Sequence, residues 1–212
     1  MHIFKEIKPL RAFLNQKRAE QESIGLVPTM GALHRGHLAL IQASKAENKL
    51  TVCSIYVNPT QFNNSADLEK YPRTLPADIA LLEEAGCDVL FCPGNQEMYR
   101  DVSTLTMDFG GVDKILEGKF RPGHFSGVGL VVSKLFNIVA PDRAYFGQKD
   151  FQQFSVIARL VKELQFGLEL RRIPTLRESD GLAMSSRNMR LNESDRKKRW
   201  SSLMRLRGQK QS

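Results

Sequence analysis

An α/β protein built on a doubly wound parallel sheet is the fold this sequence predicts, and three observations predict it. Apolar runs bounded by turn residues alternate with stretches of helical periodicity, which is the pattern of a parallel sheet covered by helices. The 212 residues are 42% apolar and 25% charged, enough to bury one substantial core. A strand, a Gly-containing loop and a helix follow one another at residues 27–38, the kind of junction at which α/β proteins bind nucleotides.

In chain order, the apolar run 24–28 predicts a strand and 36–47 a helix. Residues 50–57 form the next strand and 76–85, opened by a Pro, the next helix. Residues 88–92 are again strand, and 127–139 a strongly apolar helix. A strand over 143–146, a helix over 151–164 and a strand over 168–173 complete the series. Internal repeats and low-complexity segments are absent from the sequence. After Asn188 apolar density falls and the cluster Arg196-Lys197-Lys198-Arg199 appears, which places a domain boundary there: 1–188 as one domain and 189–212 as a basic remnant.

Several function classes are disfavoured by composition. The longest apolar stretch, residues 128–136, is broken by Gly, Ser and Lys and is shorter than the ~20 residues a membrane helix needs. Met1-His2-Ile3-Phe4-Lys5-Glu6 holds no uninterrupted apolar core with a cleavage site, so a cytoplasmic protein is expected. Cys53, Cys87 and Cys92 have neither zinc-site spacing nor an even count, and read as reduced core residues. The net charge is +8, but residues 187–212 hold nine Lys or Arg against Glu193 and Asp195, a balance of +7. The remaining 22 basic and 21 acidic groups leave +1 on the body, without the excess of basic groups that phosphate neutralisation requires. Nucleic acid is therefore not an expected partner.

The sharpest local signal is Val27-Pro28-Thr29-Met30-Gly31-Ala32-Leu33-His34-Arg35-Gly36-His37-Leu38. A helix N-terminus after a strand offers unpaired N–H groups to phosphate, and Gly31 and Gly36 let the backbone approach a ligand closely. His34 and His37, three apart, share one side of a helical turn and could stabilise charge as pyrophosphate leaves ATP. Isolated His residues are more often structural, but two flanking a Gly at such a turn favour function.

Four further segments read either way. Asp180-Gly181-Leu182-Ala183-Met184-Ser185-Ser186-Arg187-Asn188 supplies two hydroxyls and a guanidinium suited to phosphate, or is a Ser-rich turn ending in a surface Arg. Phe146-Gly147-Gln148-Lys149-Asp150-Phe151-Gln152-Gln153 places a Lys for phosphate and an amide for substrate, or an Asp150 cap with a solvated Lys. Tyr56-Val57-Asn58-Pro59-Thr60-Gln61-Phe62 ends a strand with two amides, suited to a polar uncharged substrate or to an ordinary turn. Arg121-Pro122-Gly123-His124-Phe125-Ser126-Gly127-Val128 opens a helix with an Arg and a His, or is a rigid N-terminal turn.

These five segments, in this order and through about Leu191, resemble the pantoate–beta-alanine ligase family of HIGH-motif nucleotidyltransferases. The resemblance implies a Rossmann-like sheet and a two-step reaction: ATP adenylates pantoate with release of pyrophosphate, and the amine of beta-alanine displaces AMP. By matching position it implies ATP contacts at Met30, Gly31, Ala32, Leu33, His34, Arg35, Gly36 and His37, at Gly147, Gln148, Lys149 and Asp150, at Leu176, and at Met184, Ser185, Ser186 and Arg187. Gln61 and Gln153 would hold pantoate or beta-alanine, His37 would act as proton donor, and His34 and Lys149 would stabilise phosphoryl charge. Magnesium is implied with ATP, with Asp78 as a ligand, and a homodimer through the N-terminal domain. Family members continue into a C-terminal lid, which the resemblance implies to be largely lacking here. An uncovered site and a loosely held Met184–Arg187 loop follow as expectations. The rival readings are another small-substrate nucleotidyltransferase, which would want an extra anion site, and a noncatalytic binding module.

Overall fold

The computed structural model describes residues 1–190 together with Asn192, Ser194 and Arg196. Its strands are β1 (His2–Phe4), β2 (Ile24–Thr29), β3 (Leu50–Ile55), β4 (Val89–Phe91), β5 (Arg143–Gly147) and β6 (Glu169–Ile173). The helices are α1 (Ile7–Ala19), α2 (Arg35–Glu47), α3 (Ser65–Glu69), α4 (Leu75–Glu84), α5 (Asn95–Met98), α6 (Glu117–Phe120), α7 (His124–Val139) and α8 (Phe151–Glu163).

The six strands make one parallel sheet in the order β1-β4-β3-β2-β5-β6. Leu26 of β2 lies opposite Val52 of β3 on one side and Ala144 of β5 on the other. Side chains alternate across a strand, so each strand feeds two cores. Leu26, Val52, Phe91 and Phe146 pack with Leu10 and Leu14 of α1, Val128 and Val132 of α7 and Ile157 of α8. On the opposite face Val27, Cys53, Leu90 and Tyr145 pack with Leu40 and Ile41 of α2 and Leu82 of α4. Burial on both faces explains why the central strands read as continuous apolar runs.

From β2 the chain first winds outward to β3 and β4, and only later returns to lay β5 on the other side of β2. The order therefore reverses between β2 and β5. At such a switch point the loops leaving two neighbouring strands part to opposite faces and open a crevice beyond their carboxyl ends. Thr29 and Gly147, the last residues of β2 and β5, stand at that crevice.

The expected strands and helices are present with shifted ends; α7, for example, begins at His124 rather than at 127. Two elements were not anticipated. Strand β1 is three residues long at the sheet edge, with His2 and Ile3 exposed and Phe4 partly buried, too short to show a pattern. Helix α1 carries Ile7, Leu10 and Leu14 at helical spacing, but Pro9 reads as a breaker. In the first turn a Pro is harmless, because the N–H it lacks has no intrahelical partner there.

Cys53 and Cys87 are buried and Cys92 half-buried, all free, and burial pushes the three thiols up, Cys87 to about 11. Among the described residues no helix is long and apolar enough to cross a membrane. Nearly all of the predicted 189–212 segment lies outside the described residues.

Candidate active site

A cavity of about 520 Å³ opens at the switch point. Its wall is drawn from the carboxyl ends of β2, β3, β5 and β6, through Thr29, Tyr56, Gly147 and Thr175, and its apolar floor includes Val128, Val131 and Val132 of α7. Three long helices begin at its rim: α2 at His34, α7 at His124 and α8 at Phe151. Each directs the positive end of its dipole toward the cavity. Such an arrangement favours anions before any charged side chain is counted.

His34 caps α2 with its own ring, Nδ1 accepting from the Gly36 N–H at 3.1 Å. The His34 N–H in turn donates to His37 Nδ1 at 3.3 Å, and the rings lie 4.1 Å apart. Because both Nδ1 atoms accept, each neutral ring carries its proton on Nε2. Gly36 makes the fold-back possible, since a Cβ there would stand 2.9 Å from His34 Cε1. Burial, then His34 and Lys149, push His37 down to about 3, and burial followed by Lys149 lowers His34. The pair is neutral at neutral pH. It offers two N–H donors to the cavity.

That neutrality couples to stability. The folded value for His37 lies below the unfolded value of 6.5, so the unfolded chain binds more protons in between. The stability is full above about 6.5 and is lost as pH falls toward about 3. Melting temperatures followed from about pH 7 to about pH 4 should fall more steeply for the natural chain than for His37→Gln. Parallel curves would show that the fold does not hold this ring neutral.

The turn before α2 has left-handed backbone at two successive residues, Gly31 at φ +79° and Ala32 at φ +49°. Such a turn persists only where its surroundings fix it. Asp78 of α4 does so: Oδ1 accepts from the Leu33 N–H at 2.7 Å, and Oδ2 from the Ala32 N–H at 3.0 Å and from Thr74 Oγ1 at 3.1 Å. The Asp78 side chain is 2% exposed and does not line the cavity. Asp78, expected as a magnesium ligand, is engaged here as the anchor of that loop. Among the described residues no three His, Cys, Asp or Glu side chains group as a metal site.

Gln61 sits on the turn Pro59–Gln61 and is buried. Buried Asn58 fixes it, donating from Nδ2 to Gln61 Oε1 at 3.2 Å and to the Gly127 carbonyl at 3.1 Å. The Gln61 amide donates to Met30 Sδ at 3.1 Å. His124 Nδ1 donates to the Gln61 carbonyl at 2.7 Å, and Arg121 Nη1 donates to His124 Nε2 at 3.1 Å. The sequence 121–128 thus forms the rigid helix start and also wires the amide turn to the cavity. The Gln153 side chain lines the cavity without a hydrogen bond to any described residue, leaving its amide open to a ligand. Its neighbour Gln152 is fully employed, bridging Glu117 N, Val112 O and Ile115 O.

Lys149 Nζ pairs with Asp150 at 3.1 Å inside the cavity wall. Asp150 does not cap α8 with its side chain, so the helix start remains open. Leu176, Met184, Ser185, Ser186 and Arg187 line the opposite side. Hydrogen bonds brace the segment that leads into and out of the Met184–Arg187 loop. Met184 N donates to Leu176 O at 3.0 Å, Glu178 N to Leu182 O at 2.8 Å, and buried Asn188 ties Ala183 O and Glu178 from its amide.

Of the residues expected at ATP, Gly31, Ala32, Leu33, Arg35 and Gln148 do not line the cavity. The first three build the Asp78-anchored turn behind it, Arg35 is exposed on α2, and Gln148 is exposed on the turn into α8. Sequence reasoning missed the aromatic side, where Phe62 and Tyr71 meet edge to face at 5.7 Å, and the apolar floor from α7. Neither carries a chemical signal in sequence, because an apolar residue lining a site looks like one lining a core.

An open parallel sheet with a crevice at its switch point, a His-x-Gly-His turn and a Lys just past the end of the next strand is the arrangement of a nucleotide-binding α/β protein. The model of the pantoate–beta-alanine ligase family matches residues 2–209. Pantothenate synthetases from Porphyromonas gingivalis and Bacteroides thetaiotaomicron are 53% and 52% identical over 196 residues, 92% of this chain and 70% of each relative. Among solved structures, pantothenate synthetase from Thermus thermophilus superposes with a TM-score of 0.87 at 48% identity, over 93% of this chain and 70% of that one. Pantoate–beta-alanine ligase from Francisella tularensis, complexed with beta-gamma ATP and beta-alanine, gives 0.91 at 43%, over 95% and 77%. The chain belongs to the pantoate–beta-alanine ligase family. The reaction that goes with this membership is the ATP-dependent condensation of pantoate with beta-alanine.

Proposed function

We propose that residues 1–188 carry out this condensation through a pantoyl adenylate, with the phosphates of ATP lying over the His34–His37 turn. A pantoate carboxylate oxygen attacks the α-phosphorus and pyrophosphate leaves. Such a displacement needs positioning and charge stabilisation more than covalent help. The Nε2–H groups of His34 and His37, the ammonium of Lys149 and the N-terminus of α2 supply the stabilisation, while Ser185, Ser186 and Arg187 close on the phosphates from the far wall. The amine of beta-alanine then attacks the acyl carbon, the new C–N bond forms and AMP departs. The observation that carries this reading is two neutral His donors beside a Lys at a switch point ringed by helix N-termini.

Gln61 and Gln153 hold the pantoate hydroxyls. Amides select hydroxyl geometry, whereas a cation there would attract any acid. Gln61→Ala and Gln153→Ala should each weaken pantoate use by about 1–3 kcal/mol and leave ATP affinity nearly intact. Steady-state KM values for pantoate and ATP decide it; a collapse of nucleotide affinity with pantoate unaffected reverses the assignment. Magnesium arrives with the nucleotide. The protein acts in the cytoplasm as a homodimer, for which the exposed apolar side chains Ile115 and Phe120 offer contact area.

A further inference from the structure

The condensation joins two acids, and beta-alanine brings a carboxylate that stays charged throughout. A carboxylate entering a half-buried cavity requires a cation. Among the described residues lining the cavity, the fixed cations are Lys149, Arg187 and Arg121. Lys149 acts on both His34 and His37 and so stands at the phosphate end. Arg187 lines the far wall, where it is proposed above to close on the phosphates, and reaches Asp67 at 3.6 Å. Arg121 is held differently, Nη1 donating to His124 Nε2 at 3.1 Å and Nη2 to the Gln61 carbonyl at 3.4 Å. Its side chain is 29% exposed, and its one carboxylate partner among the described residues, Glu117, is 61% exposed and 3.4 Å away. A surface pair of that kind is weak and exchangeable. The guanidinium has five N–H donors in one plane, and these contacts leave donors unused for a second carboxylate.

We propose that Arg121, oriented by His124 and the Gln61 carbonyl, binds the carboxylate of beta-alanine and makes the site select amines that bear a distal acid. This rests on the reading of the site given above. Pantoate is the poorer occupant, because its carboxylate oxygen is the nucleophile of the first step and a forked guanidinium would withdraw charge from it.

The test uses Arg121→Gln and Arg121→Lys in the full chain, with two readouts. Pantoate-dependent exchange of labelled pyrophosphate into ATP reports the first step without beta-alanine. Amide formation from beta-alanine and from beta-alaninamide reports acid selectivity. In Arg121→Gln the KM for beta-alanine should rise roughly 10- to 100-fold, with kcat and exchange changing much less. The preference for beta-alanine over its amide should fall by a similar factor, and Arg121→Lys should restore part of it. Normal exchange with an unchanged preference overturns the proposal alone. Equal losses of exchange and of beta-alanine use assign Arg121 to the first step and overturn it too. If the natural chain shows no exchange, the reading of the site fails and the proposal falls with it. Thermal melting of both variants separates misfolding from lost recognition, and Arg121→Lys, which keeps the charge, decides where Arg121→Gln does not fold.

Discussion

His37→Ala should lower pantoate-dependent adenylation by about 10²–10³-fold, the loss seen when one preorganised donor is removed from a developing charge. The effect is large because the donor is already aimed. The His34 N–H holds His37 Nδ1 at 3.3 Å, so Nε2–H needs no reorganisation as charge builds on the phosphate. Burial keeps the ring neutral, down to about 3, and hence the donor is present across the neutral range. Folding should suffer less, since the substitution leaves the His34 ring on Gly36 N as the cap. Exchange of labelled pyrophosphate by the purified variant is the measurement. A rate within a few-fold of the natural chain would remove His37 from the chemistry.

The second large effect falls on stability. Asp78→Ala strips three partners at once, the N–H groups of Ala32 and Leu33 and the hydroxyl of Thr74, in a place water does not reach. Charge-assisted hydrogen bonds and the desolvation of orphaned donors together give an expected loss of about 3–5 kcal/mol. Asp78→Asn should recover only part, because an amide presents one acceptor where two N–H groups need two. Denaturant unfolding gives the number, and a loss under about 1 kcal/mol would show that the left-handed Gly31–Ala32 turn is stable without its anchor. Magnesium affinity of ATP complexes should change little in any Asp78 variant that folds, which separates the anchor from a metal ligand.

The fold was legible where burial is two-sided. Strands such as Leu50–Ile55 read plainly because both faces are apolar, and α7 because its whole length is. The edge strand His2–Phe4 carries no such record. At the site, sequence singled out the residues with distinctive chemistry, His34, His37, Lys149, Gln61 and Gln153. It could not distinguish contact from support. Gly31, Ala32 and Leu33, expected at the nucleotide, form the left-handed turn, and Asp78, expected as a metal ligand, grips that turn. Loop residues that bind and loop residues that brace the binders occur in the same motif, and only three-dimensional hydrogen bonding shows the bracing.

Activation of pantoate by adenylation at the His34–His37 turn is the step on which every functional assignment here depends. The most direct test is labelled pyrophosphate exchange into ATP by the unsubstituted 212-residue chain, with and without pantoate and with beta-alanine absent. Exchange should require pantoate and be nearly abolished by Lys149→Ala or His37→Ala. Exchange that proceeds equally without pantoate, or none at any pantoate concentration, would contradict it.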